Sequence, residues 1–142
     1  MREGIDEYVK RISFYIPFEM KVIPDIKNRN SLSEELQKER EGQLILNQVS
    51  PGDYLILLDE HGAEFTSVGF STWIEKKMIA GMRQLIFVIG GPYGFSNAVY
   101  QRSDIKISLS QLTFSHQMVR MIFVEQIYRA MTIIKNEPYH HE

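Results

Sequence analysis

The sequence predicts an α/β fold on a mostly parallel sheet, and three observations carry that expectation. Two near-continuous apolar runs, "YLILLDEHG" (residues 54–62) and "QLIFVIGG" (84–91), read as strands buried on both faces. Between them "SVGFSTWIEKKMIAG" (67–81) reads as a helix ending at Gly81, which gives a strand–helix–strand unit. The chain has 142 residues, 44% hydrophobic and 24% charged, an ordinary composition for one domain over 1–142.

In chain order, "EGIDEYVKRISFYI" (3–16) spaces Ile5, Tyr8, Val9, Ile12 and Tyr15 three and four apart, which predicts an amphipathic helix. "FEMKVIP" (18–24) alternates and predicts a strand, followed by the polar loop "DIKNRNS". Ser31 and Glu34 have capping-box spacing and predict a second helix, which "SPGD" stops after Val49. After the two buried strands, "SNAVYQRS" predicts a short helix capped by Ser96, and "IKISLS" a third strand. "HQMVRMIFVEQIYRAMTIIK" (116–135) predicts a long helix that is apolar almost all round. A stripe so wide exceeds what one sheet face covers, so a homodimer is expected.

The chain has no cysteine, which removes disulfides, thiol nucleophiles and Cys-based zinc sites. No signal-peptide pattern opens it, and no apolar run nears the roughly 20 residues of a membrane span, so a cytoplasmic protein off the membrane is expected. A net charge of −2 is not that of an independent nucleic-acid binder, so any RNA partner is met through local patches or as part of a larger particle; a DNA partner is not expected.

The segment "FVIGGPYGFS" (87–96) breaks a strand-like run with three glycines and a proline. Ligands of open α/β sheets gather at the carboxyl ends of strands, where glycine lets backbone come close. The spacing is neither G-x-G-x-x-G nor a P-loop, so a nicotinamide or nucleoside triphosphate is not its ligand, and a plain tight turn needs glycine equally.

Taken together, "GIDEYVKR", "LLDEHG", "VIGGPYGFS", "SLSQLTFSHQMVR", "VEQIYRA" and the terminal "EPYHHE" strongly resemble the RlmH family, bacterial ribosomal large-subunit pseudouridine N3-methyltransferases of the SPOUT superfamily. The similarity runs over nearly the whole chain. It implies a C-terminal trefoil knot, helices on both faces of the sheet, a homodimer, and an acceptor in a 23S ribosomal RNA stem-loop, on the assembled ribosome. By motif, S-adenosylmethionine would contact Leu58, Gly90, Leu109, Ser110, Gln111, Leu112, Thr113 and Phe114. The resemblance also implies a strand and a glycine-containing turn ahead of the "GIDEYVKR" helix, so a family strand is expected to be missing here.

A ring N–H must lose its proton before or as it attacks a methyl group, which asks for a base or for stabilisation of the anionic ring. In the family the tail approaches the cofactor pocket, and His140 is expected as base or proton shuttle with Tyr139 positioning the ring. His116 reads as RNA or cofactor contact or as a helix-start residue helped by Ser115, the last being slightly favoured. Glu125 stands four before Arg129 and can pair with it, while Arg120 and Arg129 are candidates for RNA phosphate or, at least equally, for buried pairing across the dimer. Lys27, Arg29, Lys76, Lys77 and Arg83 offer charge to RNA or to solvent. Asp59 and Glu60 point to opposite faces of a strand, and neither they nor His61 match a metal-ligand spacing, so no metal is expected. The competing reading is a noncatalytic RNA- or ribosome-binding module; a third is an enzyme for another adenosine-containing ligand.

Overall fold

The computed structural model describes residues 1–24 and 29–141. Five helices, three strands and a 3-10 turn follow one another: α1 (Arg2–Ser13), the turn (Arg29–Ser31), α2 (Glu34–Leu46), β1 (Tyr54–Glu64), α3 (Ser67–Ile79), β2 (Leu85–Ile89), α4 (Asn97–Arg102), β3 (Ile105–Ser108) and α5 (His116–Ile134). They form two compact units. Met1–Lys21, Glu64–Gly81 and Leu112–Glu142 make a helical unit, and Val22–Ala63 with Met82–Gln111 make a sheet unit.

In the sheet unit the strand order is β2-β1-β3. β1 and β2 run parallel, in register from Tyr54 beside Leu85 to Leu58 beside Ile89. The Asp104 amide donates to the Leu55 carbonyl (2.8 Å), and the Asp104 carboxylate accepts the Leu55 N–H (2.7 Å), which fixes where β3 starts beside β1. Arg102 holds the same corner by donating to the carbonyls of Ser50 and Asp53.

Leu55, Ile56 and Leu57 are fully buried, as a continuous apolar run predicts. Leu55 and Leu57 share one core with Ile45 of α2, Val99 of α4 and Phe95, so period-two alternation aims them at those two helices. Gly42 lets α2 sit this close, because a Cβ there would lie 2.4 Å from Ser96 Oγ. α4 is capped by Ser96, as expected.

Three expectations are corrected here. "FEMKVIP" is not a strand among its residues, all of which are described: 18–24 have no regular structure. Ser33, not Ser31, caps α2 by accepting the Leu36 N–H (3.1 Å), because Ser31 is taken into the 3-10 turn. β2 is only half-buried along its length, since it has the single neighbour β1 at the edge of the sheet. In addition, β1 does not stop at its glycine. It runs to Glu64, and a Cβ on Gly62 would lie 2.6 Å from Ile107 N and from Lys106 C, so only glycine lets the two backbones pass this closely.

In the helical unit α5 packs against both α1 and α3, which accounts for much of its wide apolar surface. Phe123, Val124, Ile127, Ala130 and Met131 are buried on it, with Ile5 and Ile12 on α1 and Phe70 and Ile74 on α3. Gly4 lies against the Met121 side chain of α5, whose Cε would stand 2.8 Å from a Cβ there and could swing aside. Ser67 Oγ donates to Gln126 Oε1 (2.9 Å), tying the start of α3 to α5. Gly81, at φ +74°, ends α3 as the sequence predicts.

Candidate active site

The candidates of the sheet unit begin where pairing between β1 and β2 stops. Leu58 beside Ile89 is the last β1–β2 register pair; β2 ends there and Gly90 follows at once, while β1 itself runs on to Glu64. The loop after Gly90 holds its own shape. A Cβ on Gly90 would strike the buried Phe95 ring at 2.8 Å, one on Gly91 would meet Glu41 Oε2 at 2.6 Å, and Gly94 adopts φ +82°. Gly94 donates its N–H to the Gly91 carbonyl (3.1 Å). Gly90 and Gly94 thus have internal reasons, one steric and one conformational, whereas the Glu41 carboxylate near Gly91 ends a flexible side chain that can move aside.

Beside the loop, Asp59 accepts from the Tyr100 hydroxyl (2.7 Å) and from the His61 amide (2.8 Å). Burial pulls the Asp59 carboxyl upward, but the His61 amide and Tyr100 together outweigh it and leave it below the ordinary carboxylate value. Burial and then Asp59 push the Tyr100 phenol up to about 12.

The candidates of the helical unit include the tail after α5. Tyr139 OH donates to Glu125 Oε1 (3.2 Å), so Tyr8 OH, 3.2 Å away, donates to Tyr139 in turn. Burial first, then Tyr8 and the Glu125 charge, raise the Tyr139 phenol far above its ordinary value, so it stays protonated at any working pH. Arg129 donates through Nε to Glu125 Oε1 (3.0 Å), with Nη2 on the same oxygen, and its guanidinium lies 5.0 Å from the Tyr139 ring centre. Its Nη1 stands 3.0 Å from His140 Nδ1. Tyr128 meets the Tyr139 ring edge-on at 4.7 Å. Tyr15 OH donates to Glu137 Oε2 (2.6 Å), and that bond, with burial second, pushes its phenol up to about 12.

The predicted residues therefore fall into two groups. Leu58, Gly90, Leu109, Ser110 and Gln111 belong to the sheet unit; Leu112, Thr113, Phe114, Tyr139 and His140 belong to the helical unit. Leu58, Leu109 and Ser110 are half-buried, while Leu112 is 71% exposed. Ser115 caps α5 through the Met118 N–H and His116 is exposed, in keeping with the helix-start reading.

Among the charge candidates, Arg83 lies 3.5 Å from Asp53, Lys77 sits over the Trp73 ring at 5.7 Å, and Lys76 is exposed at the end of α3. Lys27 lies outside the described residues, and Arg29 opens the 3-10 turn. Among the described residues, no group of three or more His, Asp or Glu is placed to hold a metal ion, and no helix is long and apolar enough to cross a membrane.

Sequence reasoning missed Tyr8, Tyr15, Tyr128 and Glu137 as partners of the tail. Their phenols stand at positions that helical periodicity assigns to an apolar face. The one available signal was the excess of tyrosine over phenylalanine there, since a buried Tyr needs a partner for its hydroxyl.

A family model described as "Predicted SPOUT methyltransferase" matches residues 1–140. The "Ribosomal RNA large subunit methyltransferase H" of Parabacteroides distasonis is 66% identical over 140 residues, covering 99% of this chain and 89% of that protein. Its namesake in Flavobacterium psychrophilum is 62% identical over 138 residues, covering 97% and 88%. These relatives bear the name of the family that the motifs resemble. With the match extending across both units, from the first residue of α1 to the tail that carries Tyr139 and His140, the chain belongs to the SPOUT methyltransferase family.

Proposed function

We propose that the chain methylates ribosomal RNA of the large subunit with S-adenosylmethionine as methyl donor, at N3 of a pseudouridine in a 23S stem-loop. The observation that carries the reaction class is identity of 56–66% along almost the whole chain with relatives named for that activity. The cofactor would lie against Leu58, Gly90 and the 109–114 segment. Residues there fit an adenosine-bearing ligand, because the backbone after Ile89 has left the β1–β2 ladder at the carboxyl end of β2 and Gly90 keeps a side chain out of the way. When bound, it supplies an electrophilic methyl group on sulfur.

The chain's own contribution is position more than activation. Tyr139 would orient the acceptor ring and His140 would face its polar edge. We read the C-terminal half as the knot of this superfamily. The passage of the chain between the two units four times, and the close crossing of Gly62 over Lys106 and Ile107, support that reading. We read 1–142 as one functional domain acting in the cytoplasm.

A homodimer is part of this reading. Phe14 and Ile79 (each 79% exposed), Leu112 and Met118 of the helical unit are apolar surface that a second copy would cover. The net charge of −2 favours a folded ribosome over free RNA as substrate. Calorimetric titration with S-adenosylmethionine and S-adenosylhomocysteine, with NAD as comparison, followed by methyl transfer to ribosomes lacking the modification, tests the proposal. Binding of both sulfur ligands and transfer to ribosomes support it. Binding to ribosomes without transfer would favour a noncatalytic module instead.

A further inference from the structure

We infer that Arg129 is a positioning residue that fixes the tautomer of His140, so that His140 presents an Nε2–H donor to an oxygen of the acceptor ring. The inference rests on the proposed function for its catalytic use, but its structural half stands on this chain alone. A guanidinium has donors only. With Arg129 Nη1 at 3.0 Å, His140 Nδ1 can join that hydrogen bond only as acceptor. The ring is then neutral and its single proton is on Nε2.

Arg129 itself has little freedom to retreat. Glu125 takes both its Nε and its Nη2, and the Tyr139 ring lies under its guanidinium at 5.0 Å. Glu125 is in turn engaged by Tyr139 OH and by Gln126 Nε2 (3.0 Å). Arg129 and Glu125 side chains are only 24% and 19% exposed, so solvent competes weakly for the pair.

The consequence is a division of roles. With Nδ1 engaged by a guanidinium N–H, the ring nitrogen left to face the substrate is Nε2, which carries the proton. The tail is thereby built to donate to a carbonyl oxygen that gains negative charge, as oxyanion-type stabilisation requires. Tyr139, kept protonated and hydrogen-bonded to Glu125, is a support for Arg129 as well as a ring-positioning group.

The experiment reads the tautomer directly, by long-range proton–nitrogen correlation of 15N-labelled protein at about pH 7.5, above the ordinary imidazole pKa. Signals of His140 are assigned by their loss in His140→Gln. The expected wild-type pattern is Nε2 protonated and Nδ1 bare; in Arg129→Met it collapses to a mixture, while Arg129→Lys, which keeps a donor, retains most of it. A wild-type His140 protonated on Nδ1, or on both nitrogens, overturns the inference whatever the activity, and so does an unchanged pattern in a folded Arg129→Met. On ribosomes, Arg129→Met is expected to lose tenfold or more in kcat with KM for S-adenosylmethionine within twofold. The expected tautomer in a wild-type protein that methylates nothing would overturn the catalytic half and the proposed function together, leaving the Arg129–His140 pairing itself supported.

Discussion

The glycine loop after β2 and the tail after α5 both carry residues assigned to the site, yet they hold their shapes by opposite means. The loop is shaped by what is absent: Gly90 makes room for Phe95, and Gly94 supplies a positive φ. The tail is shaped by what is present, a chain of side-chain hydrogen bonds from Tyr8 through Tyr139, Glu125 and Arg129 to His140. Steric shape of the first kind is part of the fold's core, whereas polar shape of the second kind is separable from it. Substitutions in the loop should therefore cost stability and binding together, and those in the tail should cost rate alone.

The largest effect expected is on rate. His140→Ala removes a half-buried ring whose one described partner is Arg129, so methyl transfer to ribosomes should fall roughly 100-fold or more while stability to urea moves by less than about 0.5 kcal/mol. An equal loss of stability and rate would show that the tail is part of the core after all, and the contrast with the loop would fail.

Next in size is Gly62→Ala. The added Cβ would meet backbone of β3 at 2.6 Å on two atoms, which no side-chain rotation relieves. Destabilisation of about 3 kcal/mol is expected, at the upper end of the overpacking range, and a denaturant midpoint reads it. Gly90→Ala should cost less, about 1–2 kcal/mol, because its clash is with the Phe95 ring, which can tilt. Its diagnostic feature is a parallel loss of S-adenosylmethionine affinity by calorimetry, since the same loop is assigned to the cofactor.

These two halves were not equally legible in the sequence. The sheet unit was read well because Leu55, Ile56 and Leu57 form a continuous apolar run and Ser96 opens a capped helix, both local signals. The alternation of "FEMKVIP" misled, because a strand needs a neighbour to pair with and nothing in seven residues says whether one is supplied. The edge exposure of β2 was invisible for the same reason: composition shows apolarity, and burial depends on the strand order. In the tail, Glu125 and Arg129 were legible as an i,i+4 pair. That the pair also receives Tyr139 and His140 was not, since those contacts depend on how the chain turns back after Ile134, where Asn136 takes a positive φ of 56°. The glycine loop was recognised as special, but sequence left turn and ligand site equally open, and the steric reason at Gly90 with the positive φ at Gly94 accounts for much of the turn without a ligand.

The smallest effect separates the two regions by titration. Tyr15 in the helical unit and Tyr100 in the sheet unit are both raised to about 12, the first mainly by its hydrogen bond to Glu137 and the second mainly by burial. An unfolded tyrosine loses its proton near pH 10. A folded pKa above the unfolded one means that each phenol contributes stability in full below about pH 10 and loses it as pH rises through about 12. Tyr15 is the more solvated of the two, so Tyr15→Phe should change stability at neutral pH by no more than about 1 kcal/mol, in line with one net hydrogen bond in contact with water. In an ultraviolet titration of phenolate, Tyr15→Phe and Tyr100→Phe should each remove one late-ionising group. The Tyr100 variant should also leave Asp59 with a higher pKa, because the Tyr100 phenol donates to that carboxylate and helps hold its value down. Glu137→Gln provides the converse control. It should let Tyr15 ionise earlier while Tyr100 is unmoved, since the Glu137 bond is the leading cause of the first shift and has no part in the second.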